Sequence, residues 1–547
     1  MLNWFSYTVY RFAHRLYYVF AVQHLLRQAR NPRGVQTNLL KRILRENQSS
    51  QLGRGFSFNV IEDVASYQAR VGPSSYDDIQ ASMRRQESTG TQILCMDTFI
   101  HRRESIGFES GRGFAMTTNA ISDDRHDVQL IAHAWLARYG IWRNKVFTIL
   151  DDQPVAYANT GVTRGTSVGF IYHNLPNFMR KRCFVPSELA MTKHAEMRYL
   201  ALGIVGLAEA KVSGLLVANP ASLVYLLRVI NENLDEIIDS IEKGNFPQSI
   251  QARLPTELKI VATPRRIARL RELAKLDRPL RFEDFWPRLR GVICWTAGCC
   301  RTSLRSLRSK LPKGMPILEL GYQSSAFMGS FNLNTKKNVC LPFLHRTFYE
   351  FVKRGPWENG YSSVYLLDQL EVGQEYYVLV TTRSGLYRFA TEQVIKVTGK
   401  VHATPTIEFV QQGERVVNLT GENLTESNIV DAIESLNEKQ GCEITQFLML
   451  YDENQKIYEL FVESSGEWTT KEFRIWLDET LAQNNEHWQT SRLAARLKSP
   501  RIVRIRTGTI DAFRVQAVRN GYEDSLLVTP HLQSRQACKI DFAEAKI

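Results

Sequence analysis

Residues 370–400 read LEVGQEYYVLVTTRSGLYRFATEQVIKVTGK, and the reading of this stretch decides the fold. Val378, Val380, Val394, Ile395 and Val397 are β-branched, and Tyr376, Tyr377, Tyr387 and Phe389 add aromatic bulk, the composition of strands. Arg383, Ser384 and Gly385 supply a tight polar turn between Thr382 and the second run. The stretch is therefore expected to be a hairpin. The chain before it has α/β character, and the chain after it is more polar and hairpin-like. Pockets favour the junction of two such bodies, so a ligand lodged there would touch this hairpin. The competing reading is a buried hairpin without chemistry.

Working outward, the upstream chain alternates helices and strands. Residues 1 to about 50 read as helical, with Asn31–Gly34 (NPRG) as a break. Val128–Tyr139 reads as an amphipathic helix and Val146–Leu150 as a strand, followed by the loop ANTGVTRGTSVGF. Lys211–Pro220 is strand-like in its second half. Ser222–Lys243 reads as one long helix with Leu223, Leu226, Ile230 and Ile237 on a single face, stopped by Gly244. Gly291–Trp295 and Ile317–Tyr322 are short buried strands flanking the basic helix Arg301–Lys310. This order predicts a mixed or parallel sheet with helices on both faces. Downstream, Thr406–Gln411 and Arg415–Thr420 are expected strands and Thr425–Gln440 a helix closed by Gly441. Ile444–Asp452 and Lys456–Glu463 form a hairpin, Thr470–Leu481 a helix, and Ile502–Val518 returns to strand. The fold class is thus α/β, with a large domain over residues 1–405 and a small α+β domain over residues 406–547.

The 547 residues exceed one ordinary domain, and 44% hydrophobic content is enough for a large core. A formal charge of +13 favours anionic partners. The basic residues are spread out and form no nucleic-acid recognition module. The N-terminal run is apolar and aromatic, but Arg11, His14 and Arg15 interrupt it, and the clean segment Leu16–Val22 is too short to span a bilayer. A helix packed on the body is the simpler reading, with a helix lying on a membrane as the alternative. Eight cysteines, with Cys294, Cys299 and Cys300 clustered at a spacing that is not a zinc pattern, read as buried thiols in a reducing, cytoplasmic setting.

Three segments carry a family signature: LPFLHRTFYEFVKRGPWENG (341–360), LLDQLEVGQEYYVLVTTRSGLYRF (366–389) and TPTIEFVQQGERVVNLTGENLTE (404–426). They resemble the Gretchen Hagen 3 family of auxin-conjugating acyl acid–amido synthetases, especially its bacterial members. ANTGVTRGTSVGF, LLVANPASLVYLLRVI and LELGYQSSAFMGSF extend the resemblance, which covers about residues 35–440. It implies a large adenylate-forming domain with a small mobile C-terminal one. It also implies ATP and magnesium, and a reaction in which an acyl carboxylate is activated and then attacked by an amine to give an amide.

Three motifs depart from the family. In the phosphate loop, here ESIGFESGRG, only Ser105, Ser110, Gly107, Gly111 and Gly113 remain, with Arg112 as the cation. In the second motif, Tyr322, Gln323, Ser324 and Ser325 lead to Ala326 where a magnesium-binding glutamate is implied, so no metal ligand is assigned. In the third, Gln393 stands where an aspartate would grip the ribose, with Glu392 beside it. Three altered anchors predict relaxed or absent ATP use. They leave open an acyl thioester donor on coenzyme A or a carrier protein, and a non-catalytic binding protein on the same scaffold. Arg388 is a candidate for an anion across the hinge, His345 for a base, and Lys539 for a phosphate contact from the C-terminal domain. Each also has a plain structural reading, an ion pair, a hydrogen-bonded histidine and a solvated lysine.

Overall fold

The central hairpin forms as its composition dictates. Glu375–Thr381 pairs antiparallel with Phe389–Val401, placing Tyr376 opposite Ile395 and Tyr377 opposite Val394. At the turn, Gly385 adopts φ 90, and a Cβ there would stand 2.7 Å from that of Leu94, so only glycine fits. In this computed structural model the described residues are 2–104, 112–149, 162–186, 188–189, 195–254, 258–298, 300–334, 337–358, 363–412, 416–510, 512, 531–538, 540, 542 and 545–546.

The hairpin is the middle of a five-stranded antiparallel sheet in the order Val364–Leu366, Phe348–Lys353, Glu375–Thr381, Phe389–Val401, Thr404–Gln412. Tyr376, Val378, Val380, Ile395 and Val397 bury one face together with Phe114, Tyr322 and Phe351. The last strand crosses the boundary expected at residues 405/406. It pairs with its neighbour from Thr404 to Gln412, so a division at 405/406 would sever a ladder.

A second sheet is fully parallel, in the order Lys145–Ile149, Val212–Val217, Val292–Cys294, Ile317–Glu319. Its side chains alternate between two cores. Leu215, Val217 and Val292 join one apolar cluster, while Leu216, Ile293 and Leu318 join another. Near-continuous apolar runs are what a parallel sheet covered on both faces requires. The expected long helix over Ser222–Lys243 is two helices, Pro220–Glu232 and Leu234–Lys243, parted at Asn233, whose φ of −125 and ψ of 27 leave the helical region. A third, small sheet holds Phe99–Glu104 between Gly113–Thr117 and Thr163–Thr166.

The C-terminal unit orders Arg501–Arg504, Ile457–Ser464, Ile444–Asp452 and Leu532–Ser534 in one sheet. Helices Glu426–Gln440 and Thr470–Asn484 cover it, each opened by a capping box, Thr425 with Asn428 and Thr469 with Glu472. The strand expected over Ile502–Val518 is shorter. It ends at Arg504, Thr509 and Ile510 are helical, and residues 513–530 lie outside the described residues. Charged side chains join this unit to the rest. Arg301 meets Asp431 at 2.9 Å and Glu434 at 3.7 Å, and Arg305 meets Glu438 at 3.5 Å.

At the N-terminus, Leu2–Gln28 and Pro32–Asn47 are helices separated at the expected break, where the Asn31 side chain accepts from the Gly34 amide at 3.0 Å. No helix among the described residues is long and apolar enough to cross a membrane.

Candidate functional site

In open α/β sheets, ligands lie beyond the carboxyl ends of the strands. Here those ends are Ile149, Val217, Cys294 and Glu319. Glu319 is buried and accepts from the Thr296 amide at 2.5 Å, from the Thr296 hydroxyl, and from the Gly321 amide at 3.1 Å. One carboxyl group therefore ties the loop after one strand to the loop after the next. Gly298, with φ 61, lets the first loop press on the Phe409 ring, 3.0 Å from where a Cβ would sit. Burial pushes the Glu319 carboxyl up to about 7, even though the bonds from Thr296 and Gly321 pull it down. A carboxyl raised in the folded state contributes stability that is present below its unfolded value and lost as pH climbs through the folded one. Relative to Glu319→Gln, the parent is expected to lose roughly 3 kcal/mol between pH 4.5 and 7, from the cited shift. Thermal melts of both proteins across that window test it, and parallel pH profiles would refute it.

Beyond Glu319 the chain doubles back. Gly329 and Ser330 both donate to the Tyr322 carbonyl at 3.0 Å, and Ser324 donates to the Phe327 carbonyl at 3.0 Å. The Tyr322 ring stacks on Phe409 and meets Phe327 edge-on. Its hydroxyl donates to Gln393 Oε1 at 2.5 Å, and burial pushes that hydroxyl well above the usual tyrosine range, so it stays protonated.

A bulge in the hairpin positions the partner residues. Tyr377 pairs with Val394 but Leu379 pairs with Ala390, so residues 391–393 bow out. Thr391 fixes the bulge by donating to the Val378 carbonyl at 2.8 Å, and Glu392 takes the left-handed φ of 59. Gln393 is thereby turned inward to Tyr322. Glu392 is turned outward, where its carboxylate meets Arg112 Nη1 at 3.3 Å. The Arg112 guanidinium lies 5.3 Å from the Tyr76 ring centre, and the Tyr76 hydroxyl accepts from the Gly113 amide at 3.1 Å. Glu392 and Arg112 are 39% and 33% exposed, so this pair is the solvent-facing edge of an otherwise buried chain of contacts.

The structure thus brings together Arg112, Gly113, Tyr322 and Gln393. Ser324 and Ala326 are buried in the same turn, and Gln323, half-buried, donates to the Leu320 carbonyl at 3.2 Å, with Ser325 also half-buried beside them. Ser110, Gly111 and Lys539, like Cys299, are outside the described residues. Two candidates stand elsewhere. Arg388 is not presented across a hinge. It is buried, with Nε 3.1 Å from both oxygens of Glu350 and Nη1 on the Gln68 and Val71 carbonyls. His345 lies beside Asp127 at 3.7 Å, and its Nδ1 is buried without a hydrogen-bond partner among the described residues. Magnesium requires oxygen donors. The buried methyl of Ala326 offers none, and the described residues contain no cluster of three or more His, Cys, Asp or Glu suited to a metal.

The sequence alone does not single out Tyr76, Thr296, Glu319 or Phe409. The one signal it offers is Glu319, an acid ending an otherwise apolar strand just ahead of the second motif.

The fold is the mixed α/β architecture of adenylate-forming enzymes, and the chain belongs to the GH3 family. Three family models match it: the GH3 family N-terminal domain over residues 21–317, the central domain over 340–412 and the C-terminal domain over 427–537. Among its relatives, the indole-3-acetic acid-amido synthetase GH3.4 of Arabidopsis thaliana is 21% identical over 461 residues, covering 77% of this chain and 74% of that protein. The jasmonoyl–L-amino acid synthetase JAR6 of Nicotiana attenuata is 22% identical over 473 residues, covering 80% and 79%. The solved structure of the AtGH3.15 acyl acid amido synthetase in complex with 2,4-DB superposes with a TM-score of 0.77 at 17% identity, covering 96% of each chain. A 2-hydroxyisobutyryl-CoA ligase in the postadenylation state shares the fold more distantly, with a TM-score of 0.53 at 11% identity over 90% of this chain and 94% of that one.

Proposed function

We propose that this protein joins an acyl acid to an amine, forming an amide, with ATP as the activating substrate. The observation that carries the reading is the contact between Tyr322 and Gln393. It locks the turn beyond the parallel sheet to the bulge of the hairpin and sets Glu392 and Arg112 at the shared rim. Family membership supplies the reaction class. The acyl carboxylate oxygen attacks the α-phosphorus of ATP and pyrophosphate leaves. The amine nitrogen then attacks the acyl carbon, AMP leaves, and the amine gives up one proton. A bare carboxylate is a poor electrophile, and the phosphoryl group makes it a good one.

In this reading Gln393 is a positioning residue, its amide committed to Tyr322. The ribose contact passes one residue along to Glu392, and Arg112 turns from Glu392 toward phosphate. Ser110 and Gly111 are assigned to the phosphate side of the site in this reading. Ser324 and Ser325 belong to the acyl side of the turn. The amine is an amino acid or a related compound.

The test is pyrophosphate release by the purified chain with panels of aryl and fatty acids and amino acids, with the amide identified by mass spectrometry. Amide formation that depends on ATP is expected. Amide made from acyl thioesters without nucleotide would transfer the reading to a thioester donor, and absence of product in both assays would remove catalysis. A hydrogen bond to a charged group contributes about 1.5–3 kcal/mol. Glu392→Ala should therefore raise the KM for ATP roughly ten- to hundredfold and leave that for the acid nearly unchanged.

A further inference from the structure

Among the described side chains of the N-terminal helix Leu2–Gln28, the buried ones lie in its last turns. Leu25 is buried, Val22 packs partly against the same cluster, and Ala29 just beyond is fully covered. Further back, Val9, Phe12, Leu16, Val19 and Phe20 are 54%, 65%, 48%, 42% and 70% exposed. At 3.6 residues per turn these five fall within a single arc of roughly 100°, opposite Leu25. Exposed Arg27 and Arg30 continue that arc at its C-terminal end. Isolated exposed apolar residues are ordinary, but a contiguous stripe of five marks a contact surface.

The charge of the segment selects the occupant. Of a net +13 for the whole chain, the first 45 residues carry eight Lys and Arg, and the first carboxylate is Glu46. A second copy laid on this stripe would bring two such cationic segments together. An anionic surface would neutralise them, and it would accept phenylalanine and leucine at the acyl boundary. Arg11 and Arg15 rule out a spanning orientation and suit one in the plane of the surface.

We propose that the helix Leu2–Gln28 binds the surface of anionic lipid bilayers, lying in the plane with Phe12, Leu16 and Phe20 inserted and Arg27 and Arg30 on the headgroups. The inference stands apart from the reaction assigned above, since it uses none of the same residues. Cosedimentation of the full chain with phosphatidylcholine vesicles, with and without phosphatidylserine, tests it, alongside light scattering for mass. Binding is expected to be about tenfold stronger with phosphatidylserine and to fall as salt is added. Phe12→Glu with Phe20→Glu should reduce it about tenfold with the melting temperature unchanged, because both side chains are exposed. Arg27→Glu with Arg30→Glu should remove the phosphatidylserine preference. Equal binding to both vesicles, binding that survives Phe12→Glu with Phe20→Glu, no binding at all, or a dimer that this double variant converts to monomer would each overturn the proposal.

Discussion

Arg388→Met is expected to lower the stability of the large unit by about 3–5 kcal/mol, the cost of stripping one partner from a buried ion pair. Glu350 is fully buried, and its carboxylate is held by Arg388 Nε at 3.1 Å and by Gln68 Nε2 at 2.8 Å. Burial already holds its carboxyl above the usual range in spite of the guanidinium. The substitution also frees two carbonyls, those of Gln68 and Val71, and leaves residue 388 in a left-handed conformation with φ 47. Adding Glu350→Leu should restore much of the loss, because the remaining penalty is the uncompensated charge rather than the missing contact. Urea unfolding of the three proteins measures this. A single variant within about 1 kcal/mol of the parent would show that the pair does not clamp the sheet.

Tyr322→Ala should cost a further class of interaction. The ring fills the space between Phe409 and Phe327, and its hydroxyl holds Gln393. Removing a buried aromatic ring costs about 3–5 kcal/mol, whereas Tyr322→Phe, which keeps the ring, should cost about 1 kcal/mol. In the proposed enzyme the same ring sets the distance between the turn and the bulge. The alanine variant is therefore expected to lose amide formation by a hundredfold or more, and the phenylalanine variant by no more than about tenfold, each normalised to folded protein. Matching losses in the two variants would show that the hydroxyl, not the ring, organises the site.

The hairpin, the parallel strands and the capped C-terminal helices are readable because each is written locally. Alternating apolar residues, Thr425 and Thr469 at helix starts and Gly441 at a helix end need no distant partner. The break at Asn233 escapes sequence reading because the apolar face of Ser222–Lys243 continues through it, and periodicity carries no record of a kink. The strand that crosses residues 405/406 is hard to place from sequence for a related reason. Thr404–Gln412 looks like the start of something new, and only pairing with Phe389–Val401 reveals where it belongs. In the site, the motif positions Tyr322 and Gln393 are legible, but not that they touch, being 71 residues apart in the chain. Arg388 is open to misassignment because an arginine following an aromatic residue in a hairpin reads the same whether its partner is a ligand or a carboxylate from a nearby strand.

Arg301 and Arg305 on one side, facing Asp431, Glu434 and Glu438 on the other, give the joint between the two units a different chemistry from either interior. Dissolved ions shorten the reach of those attractions to roughly 10 Å or less while leaving the oily interiors untouched. The ion pairs across this joint, unlike the apolar interiors, are therefore expected to weaken as salt is added.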